Sequence, residues 1–251
     1  MCRHLAYVGP PVTLGAVLVE PEHGLYRQSW APRRQRYGTV NADGFGVGWY
    51  APPDPVPARY RRAGPIWADR SFADLARVVR AGALLGAVRD ATLAGADAEA
   101  AAAPFAAGPW LFSHNGAVAG WPGSLAGFAG ELPAGELLSL EARNDSALVW
   151  AVLLHRLRRA EEPARAVAET VREAAGAAPG SRLNLLLTDG TTITANTWGD
   201  TLWYRSLPGA GTVVASEPYD DDPHWCEVPD RTVLTATATD VLLTPLKEPS
   251  A

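Results

Sequence analysis

The dipeptide Asp189-Gly190 constrains this chain more than any other pair of residues. It separates two β-rich runs, 183–188 (Leu-Asn-Leu-Leu-Leu-Thr) and 191–198 (Thr-Thr-Ile-Thr-Ala-Asn-Thr-Trp). Asp-Gly supplies the positive φ that a tight reversal needs, so the two runs predict an antiparallel hairpin. Runs at 202–204, 212–215 and 233–237 extend it as a meander. Upstream, 5–8, 84–88 and 110–113 are short apolar runs of strand length. The segment 45–50 interleaves glycine with Phe45, Val47 and Trp49, a strand that another chain segment or a ligand can approach closely.

Three segments carry a helical period instead. Residues 72–80 are apolar at Phe72, Leu75, Ala76 and Val79. Residues 146–159 place Leu148, Ala151, Val152 and Leu154 on one face, and 164–175 form a third. Helices between groups of hairpin-joined strands predict an α+β fold of antiparallel sheets. The Ala-rich stretch 94–107 and the Pro-rich stretch 52–57 read as loops. Neither separates independently foldable parts and no repeat is evident, so residues 1–251 are expected to form one domain.

Charge narrows the partners. A net charge of −5 gives no domain-wide positive field and argues against nucleic acid. Arg33-Arg34-Gln35-Arg36 and Arg59/Arg61-Arg62 read first as solvated loop charge, then as anion contacts. Lys247 is the only lysine. Cys2 and Cys226 could pair, but two cysteines make no disulfide framework. No secretory signal and no membrane-length apolar run is present, so the expected setting is the cytoplasm, away from membranes. No metal or other cofactor is expected, and no residue pattern selects an oligomeric state.

Five features carry chemistry. Removal of Met1 leaves Cys2 with a thiol nucleophile and a free α-amine, whose unperturbed pKa of about 7.7–8.0 suits a base. Taken alone, a cysteine at position two is incidental in most chains. Ser113-His114-Asn115-Gly116 follows an apolar run and could converge a side-chain amide and a backbone N–H on an oxyanion, although Asn-Gly is more often a plain turn. Arg89 ends the 84–88 run and can hold a carboxylate by two parallel hydrogen bonds, or serve as a surface charge. Asn144-Asp145-Ser146 precedes the strongest helix; it is either an N-cap or a place for Asp145 to meet an ammonium group. Asn41-Ala42-Asp43-Gly44-Phe45-Gly46 has the wrong spacing for a dinucleotide fingerprint. Nucleophile, oxyanion donors, Arg and Asp together describe cleavage of a glutamyl amide.

Those residues also carry a resemblance. Met1-Cys2, Asn41 to Gly46, Arg89-Asp90-Ala91-Thr92, His114-Asn115-Gly116 and Asn144-Asp145-Ser146 occur in the order found in class II glutamine amidotransferases, and the similarity spans nearly the whole chain. It implies a four-layered αββα sandwich of two antiparallel sheets. It further implies that Cys2 attacks the γ-carbonyl, that Asn115 and Gly116 hold the oxyanion, and that Arg89 and Asp145 take the α-carboxylate and α-ammonium. His114 and Asn144 join the substrate contacts. Many members continue Ala-Thr-His-Gly after the arginine, whereas this chain reads Ala91-Thr92-Leu93-Ala94-Gly95. No synthase domain fits within 251 residues, which implies a stand-alone hydrolase or a glutaminase subunit. The stretches 28–50 and 215–225 narrow the resemblance to the ergothioneine branch, which removes glutamate from γ-glutamyl-hercynylcysteine sulfoxide. That substrate carries a trimethylammonium group, for which Trp30, Trp110, Trp121, Trp198 and Trp225 are candidates, with core packing as the commoner use of tryptophan. Asp220-Asp221-Asp222 could favour a cation or be a solvated loop, and 25–36 is placed as a lid. Alternatives are a plain glutaminase, an acylase of the same nucleophile type and a non-catalytic binding domain.

Overall fold

The computed structural model describes residues 2–91, 99–130 and 132–246. The strands, in chain order, are β1 (Arg3–Thr13), β2 (Phe45–Trp49), β3 (Ala58–Arg62), β4 (Arg80–Val88), β5 (Phe105–Ala107), β6 (Trp110–Ala117), β7 (Arg182–Thr188), β8 (Ile193–Asn196), β9 (Trp203–Leu207), β10 (Gly211–Ala215), β11 (Cys226–Glu227), β12 (Thr232–Ala236) and β13 (Val241–Pro245). The helices are α1 (Leu14–Leu18), α2 (Leu25–Gln28), α3 (Arg70–Val78), α4 (Ala126–Gly130), α5 (Ala134–Leu138), α6 (Asp145–Arg158) and α7 (Pro163–Ala177).

Side-chain alternation builds the layers. Successive residues of a strand face opposite sides, so β1 sends Leu5 and Tyr7 one way and Ala6 and Val8 the other. Leu5 and Tyr7 pack with Leu14, Leu18 and Phe72 of the α1–α3 layer. Ala6, Val8, Ala83 and Leu85 meet Leu111, Leu186, Ile193 and Leu234, the core between the two sheets. Phe112, Leu183, Leu185 and Leu187 face outward onto α6 and α7. Three apolar seams therefore join four layers in the order α, β, β, α, which is the expected sandwich. One sheet runs β11-β9-β10-β1-β4-β2-β3 and the other β13-β12-β8-β7-β6-β5, every pairing antiparallel.

Several local expectations are corrected. The reversal after β7 is wider than two residues: Thr188 pairs with Ile193, and Asp189 Oδ1 accepts the N–H groups of Thr191 and Thr192, both at 2.8 Å. The run 202–204 does not continue a meander. Its strand β9 joins the other sheet through β10, which pairs with β1 (Leu5↔Ala215). Period-two alternation suits either sheet equally, so the pattern alone does not choose one. Part of the Ala-rich stretch is strand β5, and residues 94–98 lie outside the described residues. Arg59, Arg61 and Arg62 lie on edge strand β3, where Glu141 takes Arg59 at 3.2 Å and Arg61 at 2.9 Å. They are ion-paired strand residues, not free loop charge. Cys2 and Cys226 are both free thiols. Among the described residues no helix is long and apolar enough to cross a membrane.

Helix boundaries follow their caps. Asp69 caps α3 by accepting Phe72 N–H at 3.1 Å, and the helix stops before β4 begins at Arg80, two residues short of the expected end. Glycines in β2 serve close approach: a Cβ on Gly48 would sit 2.7 Å from Leu111 of the facing sheet.

Candidate active site

Cys2 directly precedes β1, which is central in its sheet, and shares the parity of His4 and Ala6. It therefore faces the space between the sheets, on the side to which β6 presents Ser113 and Asn115. Beside it lies a cavity of about 490 Å³, lined by Cys2, Arg89, His114, Gly116, Asn144 and Asp145 among others. Asn115 is fully buried and does not line the cavity. Its Nδ2 lies 3.5 Å from Ser216 Oγ, and its Oδ1 has no hydrogen-bond partner among the described residues.

Burial pushes the Cys2 thiol above its ordinary pKa. A hydrogen bond from the Asp90 backbone and the Arg89 guanidinium pull it back down, while Asp145 raises it. Arg89 and Asp145 line the same cavity as Cys2. Arg89 is set by the turn before β2. Arg89 N–H donates to Gly44 O at 2.8 Å, Asp43 N–H donates to Arg89 O at 2.9 Å, and Arg89 Nη1 donates to Asp43 O at 3.2 Å. Asp43 Oδ2 also accepts Ala91 N–H at 2.8 Å. Asp43 and Gly44 thus shape the arginine loop, a role the sequence reading did not assign. Residues 92–95, where the chain departs from the usual Ala-Thr-His-Gly, lie outside the described residues.

Asp145 opens α6. Its Oδ2 accepts Val118 N–H and its Oδ1 accepts Ser146 N–H, at 2.9 and 2.8 Å. Asn144 is the N-cap, accepting Ala147 N–H at 2.8 Å, so its carbonyl oxygen is committed to the helix. His114 is bonded to protein through both ring nitrogens: Nε2 lies 3.0 Å from Arg182 O and Nδ1 3.0 Å from Ser146 Oγ. A carbonyl only accepts, so Nε2 carries the proton and Nδ1 accepts from the serine. Ser113 to Gly116 are not a turn after a strand but part of β6, paired with β7 from Leu186 to Leu183. Gly116 is required there, because a Cβ would collide with the Arg182 carbonyl.

Residues absent from the sequence reading complete the surroundings. Glu217, fully buried, accepts Arg33 N–H at 2.9 Å and Arg34 N–H at 2.7 Å. Arg3 is fully buried and its Nε donates to Gln35 Oε1 at 3.2 Å. The segment read as a lid is consequently tied to the body at several points. The Asp220 to Asp222 run is used internally: Asp220 and Asp222 pair with Arg205 at 2.8 and 3.1 Å, and Asp221 with Arg33 at 2.8 Å. It does not line the cavity. Of the five candidate tryptophans only Trp121 does. Trp30 packs against Tyr26 and Trp67, and Trp225 against Tyr219.

A two-sheet sandwich with helices outside, and a cysteine at the start of a central strand, is the N-terminal-nucleophile arrangement. The chain belongs to the class-II glutamine amidotransferases, whose family model matches residues 23–208. Within that family it is 41% identical, over 98% of its length and 100% of the relative's, to the gamma-glutamyl-hercynylcysteine sulfoxide hydrolase of Mycolicibacterium smegmatis. The protein of the same name from Mycobacterium tuberculosis is 40% identical over 98% of this chain and 97% of its own. Among solved structures, a glutamine aminotransferase class-II domain protein from Silicibacter pomeroyi superposes with a TM-score of 0.68 at 26% identity, covering 98% of this chain and all of that one. The glutamine phosphoribosylpyrophosphate amidotransferase of B. subtilis shares the fold at a TM-score of 0.61 and 13% identity, with 98% of this chain matching 49% of that one.

Proposed function

We propose that this protein, acting as one domain over residues 1–251, hydrolyses a γ-glutamyl amide through Cys2, with γ-glutamyl-hercynylcysteine sulfoxide as substrate. The observation that carries the reading is that Cys2, Arg89 and Asp145 line one cavity. In this reading Met1 is removed and the Cys2 α-amine takes the thiol proton. The sulfur attacks the γ-carbonyl carbon, and Asn115 Nδ2 with Gly116 N–H receives the oxyanion. Collapse breaks the C–N bond, the ammonium of Cys2 protonates the leaving amine, and a thioester remains. Water then attacks the thioester, releasing glutamate and restoring the thiol.

Arg89 takes the α-carboxylate and Asp145 the α-ammonium, which sets the γ-carbon over the sulfur. His114 and Asn144 act on substrate indirectly, by fixing Ser146 and the first turn of α6. Trp121 and Phe105 give the cavity wall an aromatic face for a quaternary ammonium group. The 98% overlap with the named hydrolase supports hydrolysis of the γ-glutamyl amide.

Cys2→Ala is the direct test: turnover should vanish while γ-glutamyl ligand binding persists, measured by calorimetry. Unchanged turnover would refute covalent catalysis. Asp145→Asn keeps the hydrogen bond from Val118 N–H but removes the charge. It should lower kcat/KM about 100-fold or more on γ-glutamyl substrates by leaving the ammonium unpaired. A des-amino glutaryl substrate should lose far less; an equal loss on both sinks the assignment.

A further inference from the structure

Two cations line the cavity, Arg89 and Arg143. Arg89 is held by the 43–44 turn, as described above. Arg143 is exposed, and among the described residues no carboxylate, carbonyl or aromatic ring engages its guanidinium. Its backbone is nevertheless fixed on both sides. Glu141 is clamped by Arg59 and Arg61, Ala142 is buried, and Asn144 caps α6. The result is a guanidinium at the rim of a cavity, on an anchored chain, with no counter-ion among the described residues.

Charge matching then points outward. A γ-glutamyl group brings one carboxylate and one ammonium, which the reading above gives to Arg89 and Asp145. Asp90 already has an interaction within the protein. Arg143 is left. The cavity also continues along an apolar wall of Ala101, Ala103, Phe105 and Trp121. At about 490 Å³ it lies within the roughly 300–1,000 Å³ typical of sites that enclose a drug-sized molecule. The amine half of the amide therefore has room along that wall, with Arg143 above it.

We propose that Arg143 is a specificity-determining residue that binds a carboxylate carried by the amine half, so that γ-glutamyl conjugates of amino acids are preferred over glutamine. The proposal rests on the γ-glutamyl reading. A guanidinium can meet a carboxylate through two parallel N–H···O bonds. At an exposed rim the discrimination is about tenfold, less than a buried pair would give.

The test compares two substrates on one enzyme: an S-alkyl γ-glutamylcysteine and the γ-glutamylcysteamine with the same S-alkyl group, which lacks the carboxylate. Wild type should prefer the first by about tenfold in kcat/KM, mainly through KM, and the preference should weaken as salt is raised. Arg143→Gln should bring the ratio near one. Arg143→Lys should fall between, since lysine keeps the charge without the fork. A second pair, differing only at the distal betaine carboxylate of a γ-glutamyl-hercynylcysteine conjugate, identifies which carboxylate is bound. Arg143→Gln must flatten one of the two ratios. If it changes neither, or if wild type cleaves all four without preference, the Arg143 assignment is overturned. If wild type cleaves none of them, the γ-glutamyl reading falls as well, so the two failures are distinguishable.

Discussion

His4 is fully buried, its Nδ1 3.1 Å from Ser113 Oγ and its backbone N–H donating to Ser216 Oγ at 3.0 Å. Burial, with Arg3 and His114 nearby, pushes its pKa down to about 3. In the unfolded chain a histidine titrates near about 6.5. Between those values the unfolded state binds the extra proton. The stabilisation from neutral His4 is thus fully present above about pH 6.5 and is lost as pH falls toward about 3, at roughly 1.4 kcal/mol per unit. Denaturant titrations at several pH values should show this slope in wild type, and His4→Gln should remove it. Equal slopes would contradict a neutral, buried His4. Cys2 gives a second check at this scale. Arg89 lowers its pKa and Asp145 raises it. Arg89→Gln should therefore slow alkylation of Cys2 at neutral pH, and Asp145→Asn should accelerate it.

Between β10 and the segment 29–44, Glu217 acts as a pin: one buried carboxylate takes two successive backbone N–H groups. Charge-assisted bonds of this kind contribute about 1.5–3 kcal/mol each. Glu217→Ala should release the segment and also weaken the sheet beneath it, because Glu217 is the foremost charge favouring the buried Arg3 of β1. Trypsin cleavage at Arg33 to Arg36 should rise by about tenfold or more, and Tm should fall by about 6 °C or more. Unaltered cleavage would mean that Arg33–Asp221 and Gln35–Arg3 suffice. Element β6 shows why the site motif was misplaced locally. His114-Asn115-Gly116 has turn-like residues, yet pairing with β7 overrides that propensity. One consequence is that Asn115 faces the intersheet space and His114 faces α6.

At the scale of the molecule, stability resides in three apolar seams. The inner one holds Leu85, Leu111, Leu186 and Leu234, all fully buried. Leu186→Ala should cost about 2–5 kcal/mol. For a chain of this size each kcal/mol moves Tm by about 2–4 °C. The exposed Leu242, on edge strand β13, should tolerate the same change within about 0.5 kcal/mol. Thermal melts of the two variants compare a seam with an edge.

Local chemistry in the sequence was enough to determine the strands about Asp189-Gly190 and helices α6 and α7, whereas Cys2, Arg89 and Asp145 stood out only as a set in the family's order. Turn propensity, helical period and side-chain reactivity are properties of short segments, so they can be read from neighbours in the chain. Tertiary structure alone decided that β9 and β10 leave the meander to flank β1, since alternation suits either sheet. It alone placed Asn115 between the sheets, fixed Glu217 under the Arg33–Arg34 backbone and set Arg143 at the cavity rim with no ion-pair partner among the described residues. Each of these depends on partners tens to hundreds of residues away, where sequence proximity carries no information about contact.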